Sequence, residues 1–158
     1  MQEKRRKMRF IWRGFLPGRG AHGTIRRNCG RGADAVRTED EAVARALQTI
    51  RCGACCTEEE LHALVARALS EAGIEAIHEA RLAPRCRIDF LAGHVGLEIK
   101  KKRPERARLV AQLARYAACE QVGALVVVAP RGVNLPRRIG GKPVRMVALE
   151  RMWGICLP

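Results

Sequence analysis

The sequence predicts an α/β domain, a mixed β-sheet with helices packed on it, in the order helix, three strands, helix, strand. Three observations predict it. Residues 57 to 73 carry apolar side chains at helical spacing and end in a glycine. Residues 74 to 101 divide into three short segments suited to strands. Residues 123 to 130, GALVVVAP, form a continuous apolar run, which suits a strand covered on both faces.

Taken in order, residues 1 to 36 are rich in Arg and Gly without a helical or strand period, and read as a basic flexible tail. Residues 37 to 56 read as a short helix, EDEAVARALQTI, with Thr38 as its cap, followed by a cysteine-rich linker, RCGACC. The main domain is expected over residues 57 to 158. Its first helix, TEEELHALVARALSEAG, places Leu61, Leu64, Val65, Ala68 and Leu69 on one face and stops at Gly73. Thr57 and Glu60 have the spacing of a capping box.

Three strands follow, IEAIHEARL, RCRIDFLA and VGLEIKK. A second helix runs from Pro104, a good first-turn residue, to about Cys119. PVRMVAL, residues 143 to 149, supplies one more strand at an edge.

Composition bounds the function. Apolar residues make up 47%, enough for a core, and 30 Lys and Arg against 16 Asp and Glu leave a net charge of +14. That surplus makes a polyanion the default partner, through counterion release from phosphates. Aromatic residues are only 4%, which weakens any reading built on base stacking. No apolar run approaches the ~20 residues of a membrane span. Arg13 interrupts the apolar stretch behind the basic opening, so no signal-peptide core is present. A cytoplasmic protein is expected, and its seven cysteines then read as thiols.

The chemistry-bearing residues lie in RCRIDFLAGHVGLEIKKKR, residues 85 to 103. A two-residue turn at Gly93-His94 suits type II′ and pairs Ala92 with Val95. Counting outward sets Asp89 opposite Glu98, with Lys100 on the same face as Glu98. Ile88 and Phe90 are then expected together on the other face, across from Ile99 and Leu97. Opposed like charges destabilise a sheet, whereas two convergent carboxylates with water and a phosphate oxygen suit Mg²⁺. The bland alternative turns one acid to solvent and leaves Lys100 to neutralise it. Glu58 precedes Leu61 by three and Val65 by seven, which continues the buried stripe, although a solvated helix terminus explains it too.

An acid on a first helix, then an aspartate, then Glu-x-Lys, on an αβββαβ skeleton, resembles the PD-(D/E)XK nuclease superfamily, the restriction-endonuclease-like fold. Gln112 and Tyr116, four apart on one helical face, match the Gln-x-x-x-Tyr signature of its exonuclease branch. The resemblance spans residues 57 to 130, and Ile88 stands where the family name has proline. The run from LAPRCRIDFLAG through QLARYAACE to GKPVRMVAL is also similar to small bacterial and prophage proteins with this fold.

The resemblance implies that Asp89 and Glu98 are metal ligands, Lys100 the catalytic lysine, Glu58 the helix acid, and Gln112 with Tyr116 the flanking polar pair. It implies Mg²⁺ as cofactor, replaceable by Mn²⁺, and nucleic acid, DNA before RNA, as the substrate. A homodimer is compatible with it, because duplex cutters need two sites.

Two rival readings come from other classes. One is a non-catalytic nucleic-acid-binding module on the same fold. The other is a zinc-stabilised interaction protein organised by Cys52, Cys55 and Cys56 with Cys29 or His22, although a single CxxC is one cluster short of the usual structural zinc pattern. Cys86 and Cys119 are expected to pack as small hydrophobes. Glu79 would lie on the first strand near Asp89, exposed or in polar contact with the cleft. The KKKR run at 100 to 103 reads either as a solvated turn or as a phosphate contact.

Overall fold

A computed structural model describes residues 31–51 and 57–149. Three helices and six strands follow one another among these residues: α1 (Arg31–Leu47), α2 (Glu58–Glu71), β1 (Ile77–Ala83), β2 (Cys86–Ala92), β3 (Val95–Ile99), α3 (Arg106–Ala117), β4 (Ala124–Ala129), β5 (Arg138–Ile139) and β6 (Lys142–Ala148). The strands form one mixed sheet in the order β1-β2-β3-β4-β6-β5. β1, β2 and β3 are antiparallel neighbours, β3, β4 and β6 run parallel, and β5 returns antiparallel on β6. The predicted α/β class and the helix, three strands, helix, strand order are what the chain adopts from residue 57 onward.

Two apolar layers enclose the sheet. On one face α1 and α2 pack Val43, Leu47, Leu61, Val65 and Leu69 against Phe90, Val95, Leu97, Ile99, Val126 and Val128. On the other, α3 and β5 pack Leu109, Leu113, Ala117 and Ile139 against Ile88, Leu125 and Val127. β4 sits between both layers and all six of its residues are buried, as its unbroken apolar run predicts. Cys86 and Cys119 pack partly buried against the second layer as free thiols, in the place expected of small hydrophobes. Burial, and then the neighbouring Cys119, pushes the Cys86 thiol up.

Local signals set most element ends. Thr57 caps α2 by accepting from Glu60 N–H at 3.1 Å, and the Glu60 carboxylate takes the Thr57 N–H at 2.7 Å. Gly73 ends the helix at φ +69°. Ala92 pairs with Val95 across the Gly93-His94 turn. Of its two central residues only Gly93 has positive φ, +55°, as a type II′ turn requires.

Several expectations need correction. α1 begins at Arg31, so Thr38 lies inside the helix and cannot be its cap, and the tail cannot extend to residue 36. The short helix expected ahead of the main domain is part of its core. Val43 and Leu47 are buried in the same core as α2, and an ion pair from the buried Asp40 to the partly exposed Arg145 of β6, 2.6 Å, ties α1 to the sheet. The domain therefore starts upstream of residue 57. α3 starts at Arg106, two residues after Pro104. β6 is the last long strand, but the edge position beyond it belongs to β5. The linker cysteines, Cys29 and His22 lie outside the described residues, and with them the zinc reading.

The largest correction concerns Ile88. Residues two apart in a strand share a face, yet Ile88 packs with α3 while Phe90 packs with α1 and α2. The break falls at Asp89. The β1–β2 ladder pairs His78 with Phe90 and Ala80 with Ile88, and between them Glu79 takes φ +52°. A strained residue there lets both strands change face within one step. Gly96 leaves room for the displaced side chain, since a Cβ at this position would meet Ile88 Cδ1 at 2.6 Å.

Candidate active site

The site forms where β2 and β3 separate. Their ladder runs from Ala92–Val95 to Phe90–Leu97 and ends, which leaves Asp89 and Glu98 as the next positions outward. Asp89 uses its side chain where the ladder would use backbone: its Oδ2 accepts the Ile99 N–H at 2.7 Å. On the far side β3 stays paired to β4, and Lys100 N–H donates to the Val128 carbonyl at 2.8 Å. β3 is thus fixed on both sides at its carboxyl end.

Glu98 is the centre. It points into the α3 face and its side chain is only 4% exposed. Lys100 Nζ lies 2.6 Å from its Oε1, and Gln112 Nε2 donates to the same oxygen at 2.7 Å. The Tyr116 hydroxyl lies 2.9 Å from Oε2 and 3.0 Å from the Arg87 carbonyl, and accepts from Gln112 Nε2 at 2.7 Å. One phenolic hydrogen serves only one acceptor at a time, so Tyr116 is shared between Glu98 and the β2 backbone. The four-residue spacing puts both polar side chains on one face of α3, as the sequence pattern expects, and the fold lays that face over one carboxylate.

Burial first, then repulsion from Asp89, raises the Glu98 carboxyl above the usual carboxylate range, against the pull of Lys100 and Tyr116. The Tyr116 phenol is pushed up strongly by burial and by the adjacent Glu98 charge. A buried carboxylate with this many donors is satisfied in hydrogen bonds and still carries unrelieved electrostatic cost.

The sequence-derived set is brought together in part. Asp89, Glu98, Lys100, Gln112 and Tyr116 form one cluster. Glu58 does not continue the buried stripe: it is exposed in the first turn of α2, as a solvated helix terminus would have it, and burial begins at Leu61. No three His, Cys, Asp or Glu side chains form a metal-ligating group among the described residues, so Glu58 is not joined to the other two acids. Glu79 is exposed and pairs with Arg87 at 3.4 Å. Lys101, Lys102 and Arg103 are exposed beyond the site.

Sequence reasoning missed two polar features. Asp40 is 1% exposed, one carboxylate oxygen held by Arg145 and the other without a partner among the described residues. His62 Nδ1 lies 3.1 Å from His78 Nε2, and both rings pack on Phe90, beside Asp89. A helical acid amid apolar neighbours signals the first; nothing in the local pattern joins two histidines sixteen residues apart. A cavity of about 510 Å³ opens beside β6 and the loop after β4, lined by Gln48, Asn134 and Met146 among others, and includes none of the cluster residues.

Compared with family models, curated proteins and solved structures, the chain matches none.

Proposed function

We propose that this chain is a metal-dependent nuclease of PD-(D/E)XK type, on a restriction-endonuclease-like fold, that hydrolyses nucleic-acid phosphodiester bonds, with DNA favoured by the family resemblance. The observation that carries the reading is the convergence of Lys100, Gln112 and Tyr116 on the buried Glu98 carboxylate, with Asp89 close enough to raise its proton affinity.

The acids fit a divalent cation. Mg²⁺ takes one or two carboxylates and fills its remaining positions with water and phosphate oxygens. Asp89 and Glu98 would hold it, and their mutual repulsion is the cost that a cation removes. When bound, the ion would polarise a phosphoryl oxygen and lower the pKa of water. Lys100 would move its ammonium from Glu98 to the reacting phosphate, where it steadies developing negative charge. Gln112 and Tyr116 would fix the plane of the Glu98 carboxylate from the α3 side, as positioning residues.

A second reading is favoured by one detail. Both Glu98 oxygens and Asp89 Oδ2 already have hydrogen-bond partners, as in a purely structural network on a non-catalytic nucleic-acid-binding module. A cleavage panel separates the two: single-stranded, duplex and branched DNA and RNA, each with Mg²⁺, Mn²⁺ or EDTA. The nuclease reading expects metal-dependent cleavage that Lys100→Ala abolishes. Binding without cleavage of any substrate selects the module.

A further inference from the structure

Charge is segregated on this molecule. Residues 57–79, which form α2 and the start of β1, hold six carboxylates and one Arg. Residues 80–145 hold fifteen Lys and Arg and four carboxylates. Two of those four, Asp89 and Glu98, are in the cluster, and a third, Glu105, pairs with Arg108.

The fold gathers part of the basic excess at one edge. The loop after β3 carries Lys101, Lys102 and Arg103, all exposed and without an ion-pair partner among the described residues. The loop after β4 turns back along β6, so that Arg137, whose carbonyl accepts from Val144 N–H, lies away from this edge. Arg106, at the start of α3, donates from Nε to the Asn134 carbonyl at 2.8 Å and holds the two loops side by side. Both loops leave the carboxyl ends of parallel strands, the edge at which open α/β sheets bind ligands. Lys100, a member of the cluster, is adjacent in the chain to Lys101.

We propose that Lys101, Lys102 and Arg103, with Arg106 beside them, form the phosphate-backbone surface of the nucleic-acid substrate, which crosses the carboxyl ends of β3 and β4 and avoids α2. The proposal rests on the nuclease reading for what happens at Glu98, but the surface is defined by charge alone. Its recognition is of phosphates. Phe90 and Tyr116, the aromatic residues of the Phe, Trp and Tyr type among the described residues, are buried and offer no stacking platform. Contacts of this kind position a nucleic acid without reading its sequence.

The test compares two full-length variants that remove the same number of cations from different places. Lys101→Ala/Lys102→Ala empties part of the strip. Arg45→Ala/Arg67→Ala removes exposed cations from α1 and α2. Affinity for a short mixed-sequence DNA duplex is measured by fluorescence anisotropy across a salt series in EDTA, with folding checked by circular dichroism. Each phosphate contact contributes about 0.9 to the slope of log K against log salt, so the strip variant should lose close to 2 in slope and ~10-fold or more in affinity at low salt. The α1/α2 variant should keep the wild-type slope.

Equal losses in the two variants, or no loss in the strip variant, overturn the proposal, because binding is then diffuse or lies elsewhere. Cleavage assays keep the two ideas apart. Strip-dependent binding by a protein that cuts nothing with Mg²⁺ removes the nuclease reading and leaves the surface. Metal-dependent cleavage with strip-independent binding does the reverse.

Discussion

The Asp89 carboxylate accepts the backbone N–H of Ile99 at 2.7 Å, at the point where β2 and β3 part. Asp89 therefore has a structural task as well as a charge. An asparagine there keeps an acceptor for Ile99 and removes the repulsion on Glu98. Asp89→Asn should raise the melting temperature in EDTA, by about 1 kcal/mol of stability, while abolishing cleavage. Mg²⁺ should stabilise the wild type by mass action and the variant much less. Melting curves of both proteins with and without Mg²⁺ decide the matter; equal Mg²⁺ shifts would remove the shared metal site.

Glu98 gives a pH dependence with a definite sign. Its folded-state pKa is raised above the ordinary 4.5, chiefly by burial. The stability linked to its proton is fully present below that ordinary value and is lost as pH rises through the raised one. Glu98→Gln should accordingly stabilise the protein at pH 7 and have little effect at pH 4. Chemical denaturation at the two pH values checks this, and an equal effect at both would place the cost elsewhere.

Tyr116→Phe tests the α3 side of the cluster. The substitution keeps the ring and removes the donor at Glu98 Oε2. A hydrogen bond to a charged group contributes roughly 1.5–3 kcal/mol, so a loss in that range is expected at neutral pH, smaller once Glu98 is protonated. The variant should keep its nucleic-acid affinity, measured by anisotropy in EDTA.

Lys100→Ala should abolish cleavage and leave nucleic-acid affinity in EDTA nearly intact, because without metal the Lys100 ammonium is paired with Glu98 and not with a phosphate. The structure adds a stability cost. Lys100 is the cation paired with a buried carboxylate, and its loss should destabilise by ~1–3 kcal/mol unless the pH is lowered. Retained cleavage, with contaminating nuclease excluded, contradicts the catalytic assignment.

Residues 1–30 contain nine of the thirty Lys and Arg and one Glu. Their removal should weaken nucleic-acid binding and flatten its salt dependence while turnover at saturating substrate survives. A cut at residue 37, by contrast, shortens α1, which packs in the core, and should cost stability as well. Steady-state kinetics and thermal melts on the two truncations separate the effects.

The sequence by itself determined what local physics can specify. The capping box at Thr57 and Glu60, the stop at Gly73, the turn at Gly93 and the fully apolar β4 are each decided within a few residues. So is the common face of Gln112 and Tyr116, because helical spacing is fixed. Tertiary structure decided the rest. α1 was expected as a short helix outside the main domain because its partners, the sheet and Arg145, lie far along the chain. Glu58 was open between a buried and a solvated place because a helical stripe shows which face is inward but not where the core stops along the axis. Ile88 changed face because of Glu79 and a gap at Gly96, neither of which strand alternation can register. Proximity of Asp89 to Glu98 was legible from the hairpin count. That Glu98 is buried, bonded from α3 and raised in pKa depends on a helix laid over the sheet, and only the folded chain supplies it.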